Sequence, residues 1–531
     1  MSERSKLLQS RNSWKQKAID RGKTERAQRK EIDRIKTERD KFKNEVKATT
    51  AELKKQRPQA VACVQSKMDL VYLALRLFVF ARIGFRAIAR VLKVLGAQFG
   101  VFKAPCAQTI SNWVTRLSIA KVQTLAQSIG KGIAKGQVWL IDLSIGLGVG
   151  KILSVLSLDL RHHQQHDQAP GLADVHCVAI SVADSWNGET IADFLRKVIA
   201  SVGCPSAFLK DGGTDLEKAV SILNEQGTVC VSIADVSHKI ANLFKHEYAE
   251  HALFDTFLSA CGQASKKLKQ TLLACLAPPK VSTKARFMNL HRLVQWADQL
   301  LKHLPPGRAA ENSMVAQLRA SLDQLPDCKA FIKRFLRDAT PLLECQKILK
   351  HKGLNLETYA QCEKFLEVIP ASSPIRIGFT DWANEHLAVA NTLQLNQIGL
   401  PISTDVLESL FGVGKRFGTG QMKDANRIAS RLPALCGTFT KENVQDVVNI
   451  SVAQQKEVVG CVDSLIKQRR DVLPNPGMLE VLAQYSDRRN FELIPSPELW
   501  SKPSDNSTDK LPNPQLLNLH APASFAAAAV I

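Results

Sequence analysis

Apolar and polar positions change their spacing several times along the 531 residues of the chain. Between residues 66 and 122 apolar side chains recur every three or four positions, which is typical of helices that bury one face. One such face contains Phe85, Ile88, Ala89, Leu92 and Leu95, and the next contains Ile110, Trp113, Val114 and Leu117. A turn region is expected from Gly96 to Ala104, and Pro105 suits the start of the second helix. Residues 66–125 are therefore predicted to form an all-α domain.

The second of these helices has a polar outer face. Its residues are Gln108, Thr109, Ser111, Asn112, Thr115 and Arg116. Polar side chains of this size on an exposed helix can reach base edges and phosphates of DNA. The pattern favours a helix-turn-helix-like DNA-binding domain, with a longer turn than usual. A plain helical bundle is the alternative.

Residues 136–244 change to the period of strands. Apolar runs of strand length occupy Val138–Leu147, Ile152–Leu160, Val175–Val182, Ala207–Leu209 and Val229–Ala234. The first two are joined by a short glycine-rich turn and are expected to pair as a hairpin. Helical spacing runs from Thr190 to Ala200, from Thr214 as N-cap to Asn224, and from about His238 onwards. The predicted order is β-β-β-α-β-α-β-α, an α/β fold.

The remaining segments have helical or loop-like patterns. Residues 245–395 show helical periods and no convincing strand. Residues 396–470 contain a helix over 403–417, capped by Ser403 or Thr404, and further helical sequence. Residues 473–531 contain 8 of the 22 prolines of the chain, so a mobile tail is predicted.

The first 57 residues are the most basic part of the chain, with 19 Lys and Arg against 9 Asp and Glu. A heptad spacing of apolar residues runs through Ile32, Ile35, Phe42, Val46 and Leu53, with Arg39 and Thr49 in the gaps. The pattern predicts a basic helix or a short coiled coil. A solvated single helix is the alternative.

The formal net charge of +21 and the pI of about 9.5 indicate a polyanionic partner, and nucleic acid is the first candidate. The most apolar stretch, Leu70 to Ile83, is interrupted by Arg76 and Arg82, so no membrane span is expected. The N-terminus has no signal-peptide core. Twelve cysteines without any CxxC pair suit reduced thiols in a cytoplasm.

Three acidic residues occupy positions that suggest chemistry. Asp142 lies inside the first apolar strand, Asp211 ends the fourth strand before a Gly-Gly turn, and Glu408 lies on the helix over 403–417. Carboxylates that are brought together raise one another's pKa unless a cation compensates them. Oxygen ligands suit Mg²⁺ or Mn²⁺, and two such ions about 3.5–4 Å apart support phosphoryl transfer.

Strand order and acid positions together resemble the RNase H-like DDE transposases of bacterial insertion sequences. In that family the first Asp lies on the first strand, the second Asp follows the fourth, and the Glu lies on a late helix, as Asp142, Asp211 and Glu408 do here. The string from Ser403 to Gly412 resembles the family's Glu helix, and Trp186–Thr190 resembles the turn into its first helix. The separation of 197 positions from Asp211 to Glu408 matches the members that carry an all-helical insertion, here residues 245–395.

Another part of the resemblance concerns the end of the fifth strand. Asp235-Val-Ser-His238 resembles the C/D-x-x-H motif of Mutator-like and related transposases, which implies that His238 lies near the site. Asp235 also follows a strand, so it is the alternative to Asp211 as the second metal ligand. Its other interpretation is a helix-capping Asp beside a satisfied core His. Lys415 and Arg416, one to two turns beyond Glu408, could contact DNA phosphate or could be solvated.

The resemblance implies a DNA transposase that cuts the ends of its element and joins them to target DNA. Its partners would be double-stranded DNA and further copies of itself, its cofactor Mg²⁺ or Mn²⁺, and its location the bacterial cytoplasm, on the nucleoid. Two alternatives are a transposase-derived DNA-binding regulator without catalysis and an RNase H-like nuclease that does not join DNA. His162, His163, His166 and Asp167 are interpreted as a solvated loop, because one loop rarely forms a metal site alone.

Overall fold

The computed structural model describes residues 3–55, 66–99, 104–128, 136–144, 150–228, 230–281, 286–417, 424–459, 477 and 491–495. Within these residues the chain is a mixed α/β protein with one six-stranded mixed sheet and extensive helical regions. It divides into two compact units, residues 1–69 with 95–103 and residues 70–94 with 104–531. No helix in the described part is long and apolar enough to pass through a lipid bilayer.

The N-terminal helix α1 spans Glu3–Lys55. Charged residues dominate it, and the heptad side chains of Ile32, Ile35 and Phe42 are exposed. The side chains of Val46, Thr49 and Leu53 lie outside the described part. Helices α2 (Lys67–Val79), α3 (Phe85–Phe99) and α4 (Ala107–Ser128) follow. The turn predicted from Gly96 begins later, because α3 continues through this glycine to Phe99.

The sheet has the strand order β5-β4-β1-β2-β3-β6. Its strands are β1 (Gln137–Ser144), β2 (Lys151–Asp159), β3 (Val175–Ala183), β4 (Ala207–Lys210), β5 (Val231–Ala234) and β6 (Glu492–Leu493). The predicted hairpin is confirmed, since β1 and β2 pair antiparallel with Asp142 opposite Ser154. Strands β4 and β5 run parallel to β1, which places the carboxyl ends of these three strands at one edge of the sheet.

Two helices, α6 (Gly188–Val202) and α7 (Thr214–Glu225), cover one face of the sheet. They follow the short helix α5 (His162–Gln165), which lies between β2 and β3 in the chain. Helix α6 begins with an Asn187 capping box, and α7 has Gly213 as its N-cap, one residue before the predicted Thr214. Their apolar faces form a core with residues of β1, β2, β3 and β4. Trp186 fixes the turn before α6 by donating from Nε1 to the Lys151 carbonyl at 2.9 Å.

The described part of residues 236–392 consists of helices and the turns between them. Helix α8 (Val236–Tyr248) leaves the sheet directly after β5 and begins two residues before the predicted His238. It leads into α9 (Phe254–Leu268), α10 (Arg286–His303), α11 (Met314–Ser321), α12 (Lys329–Lys352), α13 (Leu356–Leu366) and α14 (Pro374–Thr392). The buried Asp338 of α12 accepts a 2.5 Å hydrogen bond from the Tyr248 hydroxyl, which fastens this helical insertion to α8.

Helix α14 also holds the outer edge of the sheet. The buried His386 donates from Nδ1 to the Trp382 carbonyl at 2.8 Å, and its Nε2 accepts the Ala234 N–H at 2.9 Å. Because this N–H belongs to an edge strand, the imidazole supplies the partner that a further strand would otherwise provide. Burial lowers the pKa of His386, which keeps the ring neutral and able to accept.

The chain then returns to the sheet through α15 (Asp405–Phe417), α16 (Ala425–Ala429), α17 (Glu442–Asn449) and α18 (Val452–Val459). Residues 421–423 and 460–470, for which the sequence predicts helix, lie outside the described residues. The mobile tail is a wrong prediction for residues 491–495, which include the edge strand β6. Here Phe491 and Leu493 are buried, and the Phe491 carbonyl accepts the Val182 N–H at 2.8 Å. The rest of the tail is outside the described part.

Candidate active site

Three aspartates follow one another across the sheet at the carboxyl ends of parallel strands. Ile141 of β1 is opposite Lys210 of β4, and Lys210 is opposite Ala234 of β5. The next residue of each strand is acidic: Asp142, Asp211 and Asp235. Neighbouring strands lie about 4.8 Å apart, so the three carboxylates are close neighbours with Asp211 in the middle. Ligand sites of open α/β sheets commonly lie beyond this edge.

The alternation of side chains places Asp142 on the face away from α6 and α7. Trp139 and Ile141 of β1, and Phe208 of β4, belong to the core beneath these helices. Because successive side chains of a strand point to opposite faces, Asp142 points to the other side. Lys210 extends toward α7, where its Nζ lies 2.6 Å from Glu217 Oε1, and its charge is directed away from Asp142.

The pKa of the Asp142 carboxyl is raised well above its usual value. Its Oδ1 accepts the Leu143 N–H at 2.6 Å. Burial, followed by repulsion from Asp211 and more weakly from Glu408, raises the pKa of Asp142 to about 7. A carboxylate that is held this way binds a cation or a proton in preference to staying bare.

Asp211 is held by the Gly-Gly turn that follows β4. Its Oδ1 accepts the Gly213 N–H at 3.1 Å. A Cβ on residue 213 would lie only 2.9 Å from that oxygen, so the close approach of backbone to carboxylate depends on glycine. The turn therefore positions Asp211 beside Asp142 before α7 begins.

Asp235 is a fully occupied structural carboxylate. Its Oδ1 accepts the backbone N–H of His238 at 2.8 Å and the Nδ1–H of the same residue at 3.1 Å. Its Oδ2 accepts the backbone N–H of Thr404 at 2.7 Å and the Thr404 hydroxyl at 3.0 Å. Although burial opposes ionisation, these donors together lower the pKa of Asp235. With both oxygens engaged, Asp235 is a poorer metal ligand than Asp211.

His238 links Asp235 to the other acids. Burial disfavours its charged form, but the hydrogen bond to Asp235 and the charges of Asp235, Asp211 and Asp142 outweigh burial and raise the pKa of His238 to about 9. The imidazolium is therefore the positive charge that accompanies this acidic cluster at neutral pH. The first turn of α8 positions it, since Asp235 is the N-cap of that helix.

Glu408 reaches the cluster from α15, which packs against β1. The Val236 N–H donates to the Ile402 carbonyl at 3.0 Å, and this bond with the Thr404 contacts ties the start of α15 to the end of β5. Glu408 is solvent-accessible at the edge of the cluster, yet nearby protein atoms and the charge of Asp405 raise its pKa. The charge of Glu408 adds weakly to the raised pKa of Asp142, and the charge of His238 acts on both acids.

Sequence reasoning missed three residues that shape this site. Thr404 was expected only as a helix cap, but it also binds Asp235. Lys350 of α12 forms a 2.6 Å ion pair with Asp405, one turn before Glu408, and its sequence context gives no sign of this role. Lys210 is completely buried beside the site, a placement that its position directly before Asp211 could have suggested.

Helix α4 does not present the predicted recognition face. Ser111 and Thr115 are buried, and the outer-face prediction is wrong for both. Residues 431–455 cover this side of the helix: Arg431 Nη2 donates to Ser111 Oγ at 3.2 Å, Arg116 Nε donates to Gln455 Oε1 at 2.8 Å, and Gln455 Nε2 donates to Asn112 Oδ1 at 3.3 Å. Gln108 is exposed and donates to Asn112, while Thr109 is half-buried beside Cys106.

Three exposed basic residues of this region lie in a row on α3. Arg86, Arg90 and Lys93 follow one another at helical intervals of four and three residues, and all three are exposed. The opposite side of the helix buries Ile88 and Leu92. Lys415 and Arg416 are exposed at the end of α15, as a phosphate contact would require.

A second group of possible metal ligands lies at the other end of β2. His162, His166 and Asp174 place one ligand atom each within 4.8 Å of one another. Ligand atoms around one zinc ion lie about 3.4 Å apart, given bonds of about 2.1 Å. His162 Nε2 already contacts the Gln168 carbonyl, and Asp174 Oδ2 accepts the Gly171 N–H, so two of the three residues have a protein partner.

The donor set at the three acids fits a hard divalent cation. Asp142, Asp211 and Glu408 offer only oxygen, which Mg²⁺ and Mn²⁺ prefer. Among the described residues, the hydrogen bonds to Asp142 and Asp211 come from backbone N–H groups, and neither acid has a Lys or Arg ion-pair partner. A bound divalent cation would offset the burial and the repulsion that raise the pKa of Asp142.

Comparison with known proteins adds no family assignment: no protein-family model matches this chain, and no curated protein matches it.

Proposed function

We propose that this protein is a DDE-type DNA transposase with an RNase H-like core, which cuts DNA at the ends of its element and joins those ends to target DNA. The observation that supports this most directly is that Asp142 and Asp211 lie on neighbouring strands in register, while Glu408 lies on α15, which packs against β1. The site would use divalent metal ions, and the net charge of +21 of the chain suits a DNA substrate.

Each residue has a distinct task in this proposal. Asp142, Asp211 and Glu408 would hold Mg²⁺ or Mn²⁺, which when bound activates an attacking oxygen and stabilises a leaving oxygen in phosphodiester chemistry. Asp235 fixes the first turn of α8 and the start of α15, and through them His238 and Glu408. His238, charged at neutral pH, can bind a phosphate oxygen or orient a carboxylate of the site.

A cleavage and joining assay tests the proposal. The substrate is labelled linear DNA that carries the gene's own flanking sequences, incubated with Mg²⁺ or Mn²⁺. Wild type is expected to nick at the flanks and to form joined products. Glu408→Gln should lower the cleavage rate by on the order of 10³-fold, because loss of one ligand removes several kcal/mol of transition-state stabilisation.

Glu367→Gln is the matched control, since it removes an exposed carboxylate at the end of α13, outside the acidic cluster. Cleavage that survives in Glu408→Gln would refute the site assignment. Cleavage without joined products would favour an RNase H-like nuclease. Tight DNA binding without cleavage in any of the proteins would favour the non-catalytic regulator.

A further inference from the structure

Helix α1 is long and has an unusual surface. It continues for 53 residues. Ile32, Ile35 and Phe42 are 50%, 54% and 65% exposed, although such side chains normally lie in a core. A helix that is polar on most sides and apolar along one narrow stripe is typical of a strand of a coiled coil.

The stripe follows a heptad register. With Ile32 at position a, Ile35 occupies d, and the following a and d positions are Arg39, Phe42, Val46, Thr49 and Leu53. Gln28 occupies the preceding d position. The register therefore covers nearly four heptads from residue 28 to residue 53, which is the length at which a sustained pattern indicates a coiled coil.

The charges that flank the stripe are sorted by sign. Every g position contains glutamate: Glu31, Glu38, Glu45 and Glu52. The e positions contain Arg29, Lys36 and Lys43, followed by Thr50. One edge of the stripe is therefore acidic and the other basic, a separation that a solvated single helix does not require.

This sorting identifies the partner and its orientation. In a parallel pair of identical helices each g residue faces the e residue five positions later in the other chain, so Glu31 faces Lys36 and Glu38 faces Lys43, twice over by symmetry. In an antiparallel pair g faces g and e faces e, which opposes glutamate to glutamate and lysine to lysine. A second copy in parallel register is the occupant with complementary charge.

We propose that residues 28–53 of two copies of this chain form a parallel, in-register, two-stranded coiled coil. The apolar stripe supplies the contact, the e and g residues fix the orientation, and Arg39 at a central a position favours two strands in one register. The inference is independent of the proposed function, because α1 contains no residue of the candidate active site. It would hold two copies together in the absence of DNA.

Cysteine cross-linking of the full-length protein without DNA tests the arrangement. Gln28→Cys and Arg39→Cys place a thiol at a d and an a position, where each residue meets itself only in a parallel, in-register pair. Thr37→Cys, at the outward f position of the same helix, is the matched control. Both core variants should form disulfide-linked dimers about tenfold faster than Thr37→Cys, and the wild type gives the background from native cysteines.

Charge reversal provides a second measurement. The double variant Glu31→Lys with Glu38→Lys makes both edges of the stripe basic, and Lys36→Glu with Lys43→Glu makes both edges acidic. Each double variant alone should therefore be monomeric when its molar mass is measured by light scattering. Mixing the two should restore dimers that contain one copy of each. Failure of both Gln28→Cys and Arg39→Cys to cross-link faster than Thr37→Cys would overturn the proposal, whatever the DNA cleavage assay shows.

Discussion

At the scale of single residues, the four hydrogen bonds on Asp235 separate two acids that the sequence leaves as alternatives. Asp211 and Asp235 both follow a parallel strand and lie side by side in register. Both carboxylate oxygens of Asp235 accept hydrogen bonds from His238 and Thr404, whereas Asp211 accepts one backbone N–H from its own turn. Asp235 is therefore a structural acid, and Asp211 is the better candidate for a metal ligand.

This difference predicts opposite effects of the same substitution. Asp211→Asn should abolish Mn²⁺ binding and leave stability within about 0.5 kcal/mol, because it removes repulsion from Asp142. Asp235→Asn should cost about 2–4 kcal/mol, because buried donors lose a charged acceptor. Urea unfolding and Mn²⁺ titration by calorimetry would measure both; a stable Asp235→Asn that fails to bind Mn²⁺ would reverse the assignment.

His163 gives a pH dependence of stability that is separate from the three acids. Burial, reinforced by the nearby His162, lowers the pKa of His163 to about 4, whereas the unfolded chain has a value near 6.5. The unfolded state therefore binds more protons between these values. The stabilisation is present above pH 6.5 and is lost as the pH falls toward 4, by on the order of 2–3 kcal/mol. Asp167 opposes the shift only weakly.

Comparing wild type with His163→Leu by urea unfolding at pH 7 and at pH 5 would measure this effect. Any packing cost of the substitution applies at both pH values. The change in the free energy of unfolding between pH 7 and pH 5, compared between the two proteins, therefore isolates the effect of protonating His163. The wild type should lose more stability than the variant on acidification. An equal loss in both proteins would show that His163 does not contribute.

At the scale of elements, α3 has an exposed basic surface, whereas the sequence predicts the exposed polar, DNA-facing surface on α4. Ser111, Asn112 and Arg116 of α4 contact residues 431–455, while Arg86, Arg90 and Lys93 leave α3 with an exposed basic stripe. Helical periodicity correctly separates an apolar from a polar face, but it does not reveal whether a distant segment covers the polar one. Arg116 and Gln455 are 339 positions apart, a distance over which local pattern carries no information.

The exposed stripe predicts a salt-dependent contribution to DNA binding. Replacing Arg86, Arg90 and Lys93 by glutamine should weaken DNA binding and reduce the slope of log affinity against log salt by about 3, roughly one for each phosphate that is no longer neutralised. Binding titrations at several salt concentrations would measure the slope. Arg196, Lys197 and Lys218, on the sheet face away from Asp142, are the matched triple control. Equal slopes in the two triple variants would contradict a role for α3.

At the scale of the whole molecule, the sequence predicts those features of the fold that depend on residues close together in the chain. The five strands of the core, the helical nature of residues 245–395 and the acids at strand ends all follow from local period and burial. Lys350 beside Asp405, residues 431–455 over α4, and β6 on the edge of β3 each join segments far apart in the chain. Their contacts depend on tertiary packing, which overrides local propensity.

The strand β6 yields a prediction about the C-terminal segment. A chain that ends at residue 495 keeps Phe491 and Leu493 and is the reference for this test. A chain that ends at residue 490 should lose about 3 kcal/mol and several degrees in melting temperature, because β3 becomes an open edge. Thermal unfolding of the two truncations would measure this. Equal melting temperatures would show that β6 adds no stability.

The tie between Asp235 and Thr404 also has a consequence for the order of synthesis. Two of the four donors on this buried carboxylate arrive 169 residues after it in the chain. On the ribosome, Asp142 and Asp211 are made early, but the end of β5 stays short of partners until the helical insertion has been translated and has brought Thr404 back. Glu408 follows four residues later. The nascent chain therefore completes its acidic cluster only when most of the protein has been made.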